Sequence, residues 1–374
     1  EDKIEEIIVP THDITEVKRG KRVQRKKKYF PGYVLLRGDL YNNFYNMIKK
    51  YFLSLVFLSF FTNSLATELG TPVDLKSTKI NLFPTDLENI SLNKLKFVSG
   101  IEIKSNHPDF GGLSGLIINE DKSLIAVGDQ GIWLTGKIKI NENGKLVEII
   151  NGRLGHLKGN ENNPLYKLGK SYTDAESIEP YNDKFVVSFE RKHRILIFNN
   201  IYSHSETFYD KIKYLDLPDN GGIEAMAPLK NNSIFLLSEN LIHPDDKIAG
   251  YLLSDNKLKK VYVKKRGSFK PTDMLSLPDG NILLLERSFS PVRGASARIS
   301  VIKYEDLEPN SVILPLTLDT LKPPMVVDNF EGISFLKLND GGYYIFILLK
   351  RVKIQKRDHL CDFQKLRSRL IRLS

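Results

Sequence analysis

A five-residue box recurs five times along this chain, and a chain built of similar β-rich units has few ways to fold. The boxes are Gly112-Leu113-Ser114-Gly115-Leu116, Asp174-Ala175-Glu176-Ser177-Ile178, Gly222-Ile223-Glu224-Ala225-Met226, Pro271-Thr272-Asp273-Met274-Leu275 and Asn329-Phe330-Glu331-Gly332-Ile333. Each carries a polar or acidic residue third, usually a small residue fourth and an apolar residue fifth. The third positions are spaced by 62, 48, 49 and 58 residues. After each box comes an Asn/Asp/Gly-rich turn and a second apolar run, the pattern of an antiparallel hairpin. A period near fifty with several strands per unit predicts an all-β, β-propeller-like fold of five or six blades of antiparallel strands. A β-sandwich with coincidental spacing is the alternative.

In the first four repeats the second strand ends in an acid: Asp129, Glu190, Glu239 and Glu286, at offsets of 15, 14, 15 and 13 residues from the box position. In a blade the first strand leaves one face and the second returns to it. Box acid and partner acid therefore belong at one mouth, where Asp129, Glu176, Glu190, Glu224, Glu239, Asp273, Glu286 and Glu331 are expected to converge. Carboxylates packed this closely raise one another's proton affinity unless cations answer them. One answer is a divalent metal, with Ca2+ the best fit because it accepts many oxygen ligands in loose geometry. Its expected ligands are Glu176, Glu224, Asp273, Glu331 and Asp129. The other answer is arginine: Arg191 and Arg287 directly follow Glu190 and Glu286, and Arg293 and Arg298 lie just beyond. In that reading the acids only hold the blades in register.

The remaining composition narrows the choice. Net charge is +10, but residues 1–50 carry +5 and residues 350–374 carry +7, which leaves the middle at −2. A slightly acidic body argues against nucleic acid as its partner. The single cysteine, Cys361, excludes an internal disulfide framework or a cysteine-rich metal site. His107, His156, His193 and His243 lack zinc-ligand spacing, and neither a P-loop nor GxGxxG is present. Gly112-Leu113-Ser114-Gly115 lacks the last glycine and the strand-to-helix turn of a nucleophile elbow.

Two unlike segments precede the body. Residues 4–40 include Phe30-Pro31-Gly32-Tyr33-Val34 and resemble part of the N-terminal domain of the transcription elongation factor NusG. The rest of that domain does not follow, and a piece this small cannot bury a core; residues 1–46 read as a fusion remnant. Lys49-Lys50, an apolar run over 51–61 and Ser64-Leu65-Ala66 then match the order of a secretory signal peptide at 47–66, with Met47 as its start. A buried core helix is the alternative, and the run is too short to span a bilayer. The body is thus expected over 67–349, exported to the periplasm or secreted. The basic tail, 350–374, departs from the repeat like a changed reading frame and is expected to leave the last blade unclosed.

Taken in order, the five boxes together with residues 283–287 resemble the phytase-like family, named for the esterase-like activity of phytase, over roughly residues 95–349. The resemblance implies a propeller-like domain that hydrolyses an ester or phosphoester of a small molecule. In that scheme Glu190, Glu239 or Glu286 serves as general base, and Arg191, Arg287 and Arg298 hold the substrate's negative oxygens. A non-catalytic propeller that binds a ligand or protein at the same mouth is the competing expectation. A NusG-type transcription factor is a third, resting on residues 4–40 alone.

Overall fold

The computed structural model describes residues 69–83, 92–338 and 342–350 in full, and the backbone of five strands outside those spans. The chain divides into two compact units, Glu1–Thr67 and Glu68–Ser374. In the first, β1 (Lys3–Ile8), β2 (Thr11–Lys18), β3 (Lys21–Lys28) and β4 (Leu35–Asp39) form two antiparallel pairs, β1 with β4 and β2 with β3. The expected signal peptide lies outside the described residues. Among the described residues no helix is long and apolar enough to cross a membrane.

The second unit is all-β, a propeller arrangement of antiparallel sheets. Before the first box run β5 (Thr71–Pro72), β6 (Lys76–Ile80) and β7 (Leu95–Lys104). The first sheet is β8 (Leu113–Ile118), β9 (Ser123–Gly128), β10 (Ile132–Ile140) and β11 (Leu146–His156), with β5 on its edge. The second is β12 (Ala175–Tyr181), β13 (Lys184–Phe189), β14 (Arg194–Phe198) and β15 (Ser205–Tyr209). The third is β16 (Ile223–Pro228), β17 (Ile234–His243), β18 (Lys247–Ser254) and β19 (Lys257–Lys264). The fourth is β20 (Lys270–Ser276), β21 (Ile282–Ser290) and β22 (Gly294–Ile302). The short β23 (Val312–Ile313) lies parallel to β19 of the third sheet, and β24 (Leu316–Leu321) completes the fourth. The fifth is β25 (Asn329–Lys337), β26 (Tyr343–Lys350) and β27 (Arg357–Lys365), followed by β7 and β6 from the start of the unit.

Local chemistry makes the hairpins. Between β12 and β13 Asn182 and Asp183 both take positive φ, 47° and 59°, the conformation a two-residue hairpin turn needs and these residue types tolerate. Five buried apolar clusters hold the sheets face to face. Trp133 and Val127 meet Ile178 and Phe189 between the first and second sheets. Val186 and Ile195 meet Met226 and Leu236 between the second and third, and Phe235 and Leu237 meet Met274 and Leu284 between the third and fourth. Leu285 and Ile299 meet Phe330 and Ile347 between the fourth and fifth. Phe346 and Leu348 meet Leu113 and Leu124, which brings the fifth sheet back to the first.

The tail corrects one expectation. Residues 357–365 form β27, hydrogen-bonded on one side to β26 and on the other to β7. The open edges of those two strands offer unpaired backbone groups on both sides of one strand-width gap, and backbone pairing fills it whatever the side chains.

Candidate functional site

Every box sits on a β-bulge. Register shifts fall between Leu113 and Leu116, Ala175 and Ile178, Ile223 and Ala225, Pro271 and Asp273, and Phe330 and Gly332. An extra residue in the inner strand turns its side chain out of the ladder, and this aims Glu176, Glu224 and Glu331 at the mouth. One residue on, the inner strands approach one another closely. A Cβ on Gly332 would stand 2.5 Å from the Ser114 carbonyl oxygen, and one on Gly115 2.7 Å from the Ile178 nitrogen. Backbone crowding is the reason the fourth box position is small.

The packing also shows that the fourth box is read one residue out of step. Met226 and Met274 both face the preceding sheet, while Ala225 faces the following one. Thr272, not Asp273, is therefore the counterpart of Glu224, and Asp273 occupies the small-residue position shared by Gly115, Ser177, Ala225 and Gly332. Its carboxylate fills the axis at that level: Oδ1 accepts from Ser177 Oγ at 3.0 Å and Oδ2 from the Ile333 amide at 2.9 Å. Asp273 is fully buried, and with both oxygens occupied it is not placed among the mouth ligands as expected.

At the mouth, Asp174, Glu176 and Glu190 bring one carboxylate oxygen each within 4.8 Å of one another. Glu190 is fixed by the amide of Gly221, which donates to its Oε1. Asp174 Oδ2 accepts from Arg191 Nε at 2.5 Å, and Arg191 keeps much of its surface exposed. Glu176 and Glu224 receive no hydrogen bond from any described residue. Burial pushes the proton affinity of Glu176 well above the carboxylate range, with Glu331, Glu190 and Asp174 adding to it. Glu224, 4% exposed, is raised for the same first reason, then by Glu176, Glu239 and Glu190.

Arg287 and Lys350 also stand among the acids. The Arg287 guanidinium donates to Asn329 Oδ1 at 2.6 Å, Glu331 Oε1 at 2.8 Å and Glu239 Oε1 at 3.2 Å, so it ties the third sheet to the fifth. Burial works to lower its pKa, but Glu331, Glu224 and Glu239 outweigh that and raise it. Lys350 ends β26, where the first four repeats carry their second acid, and pairs with Asp129 Oδ2 at 2.7 Å. The other oxygen, Asp129 Oδ1, is buried without a hydrogen-bond partner.

Glu286 and Arg298 correct the sequence-based assignment. Arg298 Nη2 donates to Glu286 Oε1 at 2.5 Å, Arg266 Nη2 to Oε2 at 2.7 Å, and Ser300 Oγ to Oε2 at 3.0 Å. The Arg298 guanidinium also lies 4.2 Å from the Phe269 ring centroid. Glu286 is 1% exposed, so this closed pair within the fourth sheet leaves neither a free base nor a free anion clamp. The expected ring therefore splits. Glu176, Glu190, Glu224, Glu239, Glu331 and Asp129 share the mouth with Arg287, Lys350 and Arg191, whereas Asp273 and Glu286 do not join them.

Two members went unassigned from sequence, and each left a signal. Asp174 is the one acid at a first box position. Lys350 falls where counting along the fifth repeat finds no acid.

A family model described as esterase-like activity of phytase matches residues 108–348. The chain belongs to the phytase-like family. The match spans the five boxes and stops just short of Lys350, so the whole mouth but that lysine falls within the family's domain. Curated relatives match NusG proteins instead: that of Chlamydia trachomatis is 28% identical over 133 residues, 34% of this chain and 67% of that protein. The NusG of Haemophilus influenzae is 37% identical over 50 residues, 13% of this chain, and the chain spans only 27% of that relative's length. Among solved structures, a luciferin-regenerating enzyme aligns with 69% of this chain and 92% of its own, at 13% identity and a TM-score of 0.38. A protein of unknown function from Dyadobacter fermentans aligns with 78% and 91%, at 11% identity and a TM-score of 0.38. Alignments this loose carry no functional inference for the phytase-like domain.

Proposed function

We propose that the phytase-like domain, each of its five sheets a blade, is an exported hydrolase of small-molecule phosphoesters or carboxylic esters that holds a divalent cation on Asp174, Glu176 and Glu190. The observation that carries this reading is the approach of those three carboxylates to within 4.8 Å, with no donor on Glu176 and an orphaned oxygen on Asp129. An all-oxygen donor set beside surplus negative charge suits a hard cation, calcium before a transition metal. Such a cation, when bound, would polarise the scissile phosphoryl or carbonyl group and acidify a water.

The chain's own groups supply the rest. Arg191 is the exposed guanidinium beside the cluster and is free to turn two donors toward an anionic oxygen. Arg287 has its donors spent on Asn329, Glu331 and Glu239 and serves as a clamp that keeps the ring assembled. Glu224 is buried, lacks a donor and holds its proton more tightly than an ordinary carboxylate, first through burial, which suits it to proton transfer. Glu239 is less suited to that task, since Arg287 donates to one oxygen and Asn240 to the other.

Calorimetric titration with Ca2+ and turnover of p-nitrophenyl phosphate and p-nitrophenyl acetate test the assignment together. Glu176→Gln and Glu190→Gln should each weaken Ca2+ binding by about tenfold or more. Glu224→Gln should keep Ca2+ binding and lose turnover by about 100-fold or more. Full turnover in Glu224→Gln, or Ca2+ binding indifferent to the first two changes, would sink it. The partial neutralisation of the ring by Arg287 and Lys350 favours a second reading, a propeller that binds an anionic ligand without turnover. Saturable binding of both esters with no product would select it.

A further inference from the structure

The axis has a second end. Inner strands start at the mouth and finish at the opposite face, where their last residues surround a cavity of about 260 Å3. Its walls are mostly apolar, among them Ile118, Pro180, Leu275, Ile333 and Phe335. Asn119, Ser276 and Ser334 add polar atoms, and the one buried acid in the lining is Glu179. It lies two residues beyond Ser177 on the same face of β12, lines the cavity and is 6% exposed. No described residue donates a hydrogen bond to its carboxylate, and no described lysine or arginine lies within ion-pair distance. Lys337 and Glu120 stand at the rim, both exposed. Just above, Asp273 has both oxygens taken by Ser177 and Ile333 and offers nothing to neutralise Glu179. A buried carboxylate facing a mostly apolar pocket with no partner is costly, and nothing at the mouth requires it.

We propose that this cavity binds a small primary alkylammonium ion, its charged head on Glu179 and its carbon chain against the apolar walls. A divalent metal is a poor match, because the cavity offers one buried carboxylate, with Glu120 exposed at its rim, where a hard cation wants six or more oxygens. An ammonium needs one anion and welcomes hydrocarbon around its chain. The volume falls below the ~300 Å3 at which pockets for drug-sized ligands begin, so the ligand is a few carbons long. Glu179 holds its proton well above the carboxylate range, first through burial and then through Asp273, the state expected of a site lacking its counter-ion. The site is separate from the mouth and does not depend on hydrolysis there.

Titration calorimetry of the full chain with n-butylammonium chloride tests this, with 1-pentanol, one carbon longer, as the neutral ligand and Glu179→Gln as the variant. The expected result is one saturable site for butylammonium, bound about tenfold or more weakly by Glu179→Gln. Pentanol should bind the native chain weaker by a similar factor. No saturable binding to the native chain overturns the proposal, and so does equal binding by pentanol or by a folded Glu179→Gln. The pentanol arm needs no variant, so a failure of Glu179→Gln to fold still leaves a decisive result. Glu176→Gln at the mouth should bind butylammonium unchanged, which keeps failure here distinct from failure of the hydrolase reading.

Discussion

Glu286 and Glu224 are both buried acids on neighbouring sheets, and their surroundings give them opposite roles. Glu286 meets two guanidiniums and a hydroxyl and is satisfied. Glu286→Gln leaves Arg298 and Arg266 without their countercharge and should cost about 3–5 kcal/mol in urea unfolding, while Ca2+ affinity at the mouth stays unchanged. Arg287→Met removes the guanidinium from among Glu224, Glu239 and Glu331; with Arg287 partly exposed, the loss should be nearer about 3 kcal/mol. The buried acids without a countercharge beside them set the pH dependence. Glu224, Glu179 and Asp273 all have folded-state proton affinities raised well above their ordinary values near 4. The folded chain then binds more protons than the unfolded one as pH rises through and beyond that range, so stability falls with rising pH. Melting temperature without added cation should be higher at pH 5 than at pH 8, and Ca2+ should narrow the difference; a higher value at pH 8 would contradict the assignment.

At the scale of elements, the five hairpins were legible because a strand pair has a fixed return: box and partner acid recur at nearly constant offsets. The bulges were not legible. A bulge inserts one residue and leaves no mark in composition, and in the fourth inner strand it falls on Thr272 instead of an acid. Aligning by residue type then places Asp273 at the mouth, while packing places it on the axis. The arginine pairing of Glu286 was equally hidden, because Arg266 approaches from a loop twenty residues before it. The crowded small positions make a test of this geometry. Gly332→Ala puts a methyl 2.5 Å from the Ser114 carbonyl oxygen, backbone that cannot rotate aside, and should lower stability by about 1–3 kcal/mol. A neutral result would mean that the inner strands stand further apart.

For the whole molecule, the five clusters between successive sheets form a closed ring, and the fifth sheet closes it with β27 against β7. Sequence favoured the opposite, since the basic tail breaks the repeat's pattern; backbone pairing does not need that pattern. Removing residues 351–374 should expose the edges of β26 and β7 and abolish the cooperative thermal transition, read by circular dichroism. A single sharp melt in the truncated chain would show that β27 is dispensable.

The same closure governs when the molecule can exist. Leu95 faces Lys365 across the last ladder, a loop of some 270 residues. Ordering so long a loop is slow, because its entropy is lost before the contacts that reward it form. Individual sheets can assemble as the chain lengthens, but the ring with its acid-lined mouth is complete only after the last strand has been synthesised. Until then the nascent chain carries two open edges, and any quality-control step that senses exposed strands has the whole of synthesis in which to act.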